Sequence, residues 1–174
     1  MDEMGTNTSL SPRYAYSLKD SRAAAKVPRN RGVNTTLLAS MSLKGMGPCL
    51  AVEGTTTATG FEAYVEQALA PNLRRGQIVV VDNLGVHKGA RVRELIGEQD
   101  CQLLYLPPYS SPDFNPIEEA FSKKGALRKA GAQTREALIE ALGVAISAVS
   151  ARDAGGFFEH DGYHLPVHLL RNAL

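Results

Sequence analysis

Hydrophobic and polar positions alternate with one rhythm early in the chain and another later. Thr35 to Leu43 (TTLLASMSL) and Pro48 to Glu53 (PCLAVE) read as two strands, and Gly45-Met46-Gly47 between them predicts an antiparallel hairpin. The residues before this pair are the least regular. Arg13 to Ser17 alternates like a half-exposed strand, and Lys26 to Gly32 is a basic loop rich in turn residues. Beyond the hairpin the period lengthens. Phe61, Tyr64, Val65, Ala68 and Leu69 stand at the spacing of a core-facing helix, which Pro71 helps to end. Gln77 to Val81 is a continuous apolar run ending at Asp82, as expected of a central strand covered on both faces. Val92, Leu95 and Ile96 mark a short helix. Gln102 to Leu106 is a second buried strand that runs into Pro107-Pro108, and Pro116 opens a further helix. The longest stripe, Leu138, Ala141, Leu142, Ala145, Ile146 and Val149, belongs to a helix beginning near Thr134 that packs on the sheet. Antiparallel strands followed by strands alternating with helices predict an α/β fold, a mixed sheet flanked by helices.

Composition adds little to that picture. A chain of 174 residues suits one domain, and its 44% hydrophobic and 21% charged content is ordinary for a globular protein. Lys and Arg total 19 against 18 acids, a balance that neither demands nor excludes a polyanionic partner. Cys49 and Cys101 lack metal-ligand spacing and read as reduced core thiols. The first residues are acidic with no apolar region behind them, and no apolar run reaches the length of a membrane span. A soluble cytoplasmic domain with no membrane partner is therefore expected.

Two carboxylates occupy informative places. Asp82 closes an apolar strand, and functional groups in such sheets gather at the carboxyl ends of strands. Glu118 falls in the first turn of the helix opened by Pro116. The helix dipole favours acids there, so Glu118 and Glu119 also have a purely structural explanation, as does Asp82 as a turn former. His160, His164 and His168 recur every fourth residue, but Gly162 and Pro166 interrupt any helix that would align them, so no metal site is expected on that row.

The two longer stretches that contain these acids are more specific. Val80 to Lys88 (VVDNLGVHK) and Leu106 to Glu118 (LPPYSSPDFNPIE) resemble the bacterial insertion-sequence transposases of the Tc/mariner superfamily, whose catalytic part is a DDE superfamily endonuclease. Asp82 matches the family's second acid, in its D-N-x-x-x-H stretch, and Glu118 the third, in N-P-I-E. Asp2-Glu3 matches the strand-end D-E pair that carries the first. Val27 to Thr36 is similar to the segment between first and second acids. The resemblance runs from Met1 to about Tyr163, which delimits a catalytic domain of residues 1–163 and leaves 164–174 as an unassigned tail.

This likeness implies a ribonuclease H-like fold with the first acid on a central strand, the second on its parallel neighbour and the third on a later helix. Asp2, Asp82 and Glu118 would be the catalytic, metal-binding carboxylates. They would hold Mg²⁺ or Mn²⁺, two ions about 3.5–4 Å apart. The implied activity is DNA cleavage and strand transfer during transposition of an insertion sequence. The implied partners are DNA, as element ends and target, and a second copy or a full-length transposase. His87 would touch the scissile phosphate or a metal-bound water, or simply bond locally at a helix start. Arg29, Arg31 and Lys88 would contact phosphates, with a solvated basic loop as the plainer reading of the arginines. Asn83 and Asn115 would orient carboxylates or serve as turn residues.

Departures from the family pattern shape further expectations. Transposases of this type carry an N-terminal helix-turn-helix region, whereas only Met1 precedes Asp2. A catalytic fragment, a second reading frame or a decayed copy is expected, with the first strand truncated and Asp2 on a fraying terminus. Ser110-Ser111 is one residue longer than the family motif, and Phe121 to Leu127 one shorter, with Lys124 and Gly125 where apolar residues should continue. The isolated chain is accordingly predicted neither to excise an element nor to nick DNA efficiently. Two alternatives stay open: another ribonuclease H-like nuclease or integrase, and a non-catalytic remnant that binds DNA or a full-length transposase.

Overall fold

The computed structural model describes residues 1–10, 16–24, 32–108, 111–122 and 125–164. Strand β1 (Asp2–Thr6) pairs antiparallel with β2 (Thr35–Ser42), which pairs antiparallel with β3 (Gly45–Glu53). The hairpin turns at Leu43-Lys44, where Ser42 faces Gly45, so the glycines expected to form the turn lie inside β3 instead. Gly45 takes φ +105°, open to glycine, and Gly47 lies so close to Ser40 that a Cβ there would stand 2.5 Å from its hydroxyl. The register slips between Ala39 and Met41, which is where Ser40 needs that space.

Helix α1 (Ala58–Tyr64) starts at Thr57, whose hydroxyl accepts from the Gly60 N–H at 3.1 Å. It continues as a π turn over Val65–Leu69 and a 3₁₀ turn over Ala70–Asn72 that contains Pro71. Then come β4 (Ile78–Val81), a 3₁₀ turn at Gly85–His87, α2 (Ala90–Gly97) and β5 (Gln102–Tyr105), which lies parallel to β4. Four short or medium helices follow: α3 (Ser111–Phe114), α4 (Pro116–Ser122), α5 (Gly125–Ala130) and α6 (Arg135–Ser147), of which α4 and α6 were expected and α3 and α5 were not. Thr134 caps α6 through its hydroxyl, where the stripe placed the helix start. The last helix, α7 (Ala151–His160), was not expected either. Ser150 and Asp153 form a capping box at its start, and the helix packs on α4 and β3.

The strands form two ladders, β1-β2-β3 and β4-β5, which meet where the Met1 amino group donates to the Val80 carbonyl at 2.8 Å. Side-chain alternation along β2 divides the core. Leu38 joins Phe61, Tyr64, Val65, Val81, Val92 and Ile96 on one face, while Leu37 and Ala39 join Met4, Ile117, Phe121, Leu138 and Leu142 on the other. β1 obeys the same rule: Met1 belongs to the first cluster and Met4 to the second. Asp2, two residues from Met4, therefore shares the face on which α4 lies.

Three expectations need correction or qualification. Asp2 does not hang on a fraying end: it is buried and paired with Ala39, because the strand runs onward from the acid and is stitched to β2 along its length. Cys49 is exposed, since it lies on β3 at the margin of the three-stranded ladder, whereas Cys101 is buried as expected. Tyr16 and Ser17 form no strand, and residues 13–15 lie outside the described ones. So do Arg29, Arg31, Lys123 and Lys124, and with them most of the basic loop and the suspected helix damage at Lys124. Among the described residues, no helix is long and apolar enough to cross a membrane.

Candidate active site

Three elements bring acids to one place. Asp2 opens β1, Asp82 follows the last residue of β4, and Glu118 stands in the first turn of α4. Asp2 and Asp82 are buried, while Glu118 is exposed at the open side. Asp2 has its carboxylate fixed twice. One oxygen accepts the Glu3 N–H at 2.7 Å, and the other accepts from the Asn115 side-chain amide at 2.6 Å. Asn115 is itself buried, and its carbonyl receives the Glu118 N–H at 2.9 Å, so one residue both starts the helix of Glu118 and steadies Asp2.

Asp82 is held from the other side of the sheet. Its Oδ1 accepts from the Leu84 N–H at 3.3 Å and from His87 Nδ1. His87 is completely buried, with its ring 4.0 Å from that of Phe61 and its carbonyl receiving the Tyr105 hydroxyl at 2.9 Å. Its Nε2 points toward Glu3 Oε2, 4.0 Å away, and neither atom has a hydrogen-bond partner. The histidine thus faces Asp82 and the core instead of solvent. Lys88 is exposed just beyond it, and Asn83 is half-buried.

The electrostatics record how close the acids are. Burial raises the Asp2 carboxyl from 3.8 to about 7; the Glu3 N–H opposes that rise, and the charges of Asp82 and then Glu118 add to it. Three acidic groups thus share one field, and the buried Met1 amino group, whose own pKa burial lowers to about 6, opposes the rise of Asp2 only weakly. All the acidic donors are oxygen, the set that hard divalent cations prefer.

The sequence reading missed a second group. Glu119, the neighbour of Glu118 on α4, meets His160 and Asp161 at the end of α7, and among the described residues these three place ligand atoms all within 4.8 Å of one another. The Asp2, Asp82 and Glu118 cluster is wider than this. The histidine row itself does not form, because α7 ends at His160 and His164 lies beyond it. What the row could not reveal was an acid arriving from another helix.

A mixed sheet flanked by helices, with acids converging from two strands and a helix, is the architecture of the ribonuclease H-like class. Residues 1–139 match the family described as DDE superfamily endonuclease, and the chain belongs to that family. The fold is shared with Mos1 mariner transposase structures. The paired end complex with Mg superposes with TM-score 0.69 at 19% identity, covering 99% of this chain and 54% of that one. The strand transfer complex gives 0.66 at 21%, covering 92% and 49%. The Mos1 catalytic domain with raltegravir and Mg gives 0.60 at 19%, covering 78% and 79%. This chain therefore spans about half the length of the transposases in the first two complexes. No curated protein matches it.

Proposed function

We propose that this chain is the catalytic domain of a DDE-type transposase from a bacterial insertion sequence of the Tc/mariner superfamily, with Asp2, Asp82 and Glu118 as its metal-binding carboxylates. The observation that carries the reading is the convergence of Asp2 on β1, Asp82 at the end of β4 and Glu118 on α4, with the Asn115 amide before α4 bonded to the Asp2 carboxylate. Such a cluster fits Mg²⁺ or Mn²⁺, since divalent charge relieves the repulsion and the donors are all oxygen. When bound, a pair of these ions would activate an attacking oxygen and stabilise the leaving oxygen of a phosphodiester.

The chain's own residues would do the positioning. Asn115 turns Asp2 inward, His87 orients Asp82, and Glu118 closes the open side from α4. Exposed Lys88 would meet a phosphate, and Arg29 and Arg31 are assigned the same task from the basic loop. Residues 1–163 would form one domain, because α7 packs on α4 and β3, and 164–174 stay an unassigned tail. The Mos1 relatives include paired-end and strand-transfer complexes. By analogy the partners here are transposon-end DNA, target DNA and a second copy or full-length transposase, in the cytoplasm. Phosphate contacts from a near-neutral domain give weak, salt-sensitive binding, so end-specific excision is not expected of this chain by itself.

The test is metal linkage. Mg²⁺ or Mn²⁺ should raise the melting temperature of the chain, because a ligand that binds only the native state stabilises it. Asp82→Asn should abolish the shift. An unchanged shift in that variant would remove Asp82 from the site and the proposal with it.

A further inference from the structure

We infer that Glu119, His160 and Asp161 form a second metal site, of the Zn²⁺ type, which ties the end of α7 to α4. The inference is independent of the function proposed above. Glu119 Oε1 stands 2.8 Å from His160 Nδ1, and Asp161 Oδ1 stands 3.4 Å from the same nitrogen. In a tetrahedral shell with Zn–ligand distances of about 2.0 Å, neighbouring donor atoms stand roughly 3.3 Å apart. The two separations from Nδ1 bracket that edge, and all three ligand atoms lie within 4.8 Å of one another, a span that an ion can draw together.

A second observation points to a ligand. The Asp161 side chain is only 4% exposed, yet its Oδ2 has no hydrogen-bond partner. A buried carboxylate oxygen left without a donor is costly, and an ion pair on the other oxygen does not satisfy it. A cation taken up by both carboxylate oxygens of Asp161 would satisfy it. His160 is 75% exposed on its side chain, which leaves an entry path and an open coordination position.

The donor set chooses the metal. One imidazole nitrogen with two carboxylates suits Zn²⁺, whereas Mg²⁺ prefers oxygen and water. The all-oxygen cluster one residue away on α4 has the opposite preference. The framework around the second site is already braced: the Tyr163 hydroxyl donates to the Phe114 carbonyl at 2.8 Å, and Tyr163 stacks edge-on to Phe158. A metal here would fix α7 against the helix that carries Glu118.

The experiment uses the full chain carrying Asp2→Asn, Asp82→Asn and Cys49→Ser, which removes the two buried aspartates of the other cluster and the exposed thiol. Zn²⁺ titrated by calorimetry should bind with one ion per chain and raise the melting temperature. Adding His160→Gln should weaken binding by more than about tenfold, the scale on which even outer-sphere ligand changes act, while His164→Gln should not. Excess Mg²⁺ should not displace the Zn²⁺. Co²⁺ in place of Zn²⁺ gives a second readout, a visible absorption band that His160→Gln removes. Unaltered Zn²⁺ affinity in His160→Gln would overturn the site. So would the absence of saturable Zn²⁺ binding, which would leave His160 bonded between two carboxylates.

Discussion

Glu118 and Glu119 are consecutive residues of one helix, yet they enter clusters of opposite character. Glu118 joins two buried aspartates in a group with only oxygen donors, which is open and mutually repelling. Glu119 joins a histidine and an aspartate in a group that closes to within 4.8 Å. The difference is electrostatic. Like charges without a cation between them repel, whereas an imidazole between carboxylates bonds to both. In the proposed reading, the open cluster would draw in around an ion and the closed one would need little rearrangement to hold one.

The strongest way to break the comparison is to remove what holds the open cluster in place. His87→Ala deletes a fully buried ring packed on Phe61 and bonded to Asp82, and should cost about 3 kcal/mol of stability, the scale of large core truncations. Denaturant unfolding checks this. A loss below about 1 kcal/mol, within the range of ordinary surface changes, would show that Asp82 does not depend on the ring.

Metal linkage should give the next largest effect. At a hundredfold excess over its Kd, Mg²⁺ should add about 2.7 kcal/mol. Glu119→Gln should leave that gain intact and Asp82→Asn should remove it. Equal losses in the two variants would merge the clusters into one site.

A pH series sharpens the contrast further. The folded-state pKa of Asp2, about 7, lies above its unfolded value of 3.8. The folded chain therefore binds more protons in that window, and the stability this group contributes is present below about 4 and lost as pH rises through 7. Without metal, the melting temperature should fall across this range, and Asp2→Asn should flatten the fall. Mg²⁺ affinity should rise over the same interval, because the ion takes the ionised carboxyl. A metal-free profile identical in wild type and Asp2→Asn would refute the assignment.

The smallest effect concerns the scaffold of the closed cluster. Ser150→Ala removes half of the capping box on α7 and should cost about 1 kcal/mol. Mg²⁺ linkage should not change, since Ser150 serves the helix that carries His160 and touches none of the three acids of the open cluster. A weakened Mg²⁺ shift would mean that α7 supports both sites.

Much of the scaffold around the open cluster was legible beforehand for local reasons. The apolar run ending at Asp82, the stripe from Phe61 to Leu69, the start at Pro116 and the cap at Thr134 are contiguous signals, each read within a few residues. The motifs around Asp82 and Glu118 marked those acids before any geometry was known. Helix α7 was not legible. Gly155 and Gly156 lie inside it, each costing about 1 kcal/mol relative to alanine, and Ser150-x-x-Asp153 is a weak start signal. Its packing on α4 and β3 outweighs that poor propensity.

By itself, the order of residues determined the strand and helix periods, the alternation that splits β2 between two cores, and the acids that motif spacing singles out. Which side chains meet was a different matter. Asn115 reaches Asp2 across 113 positions of chain, His87 turns inward to Asp82, and Glu119 finds His160 from a neighbouring helix. Periodicity reports the face on which a residue lies, but not what the opposite face brings to it. Only the tertiary packing, such as that of α7 against α4, decided those encounters, because contact energies act through space while sequence patterns act along the chain.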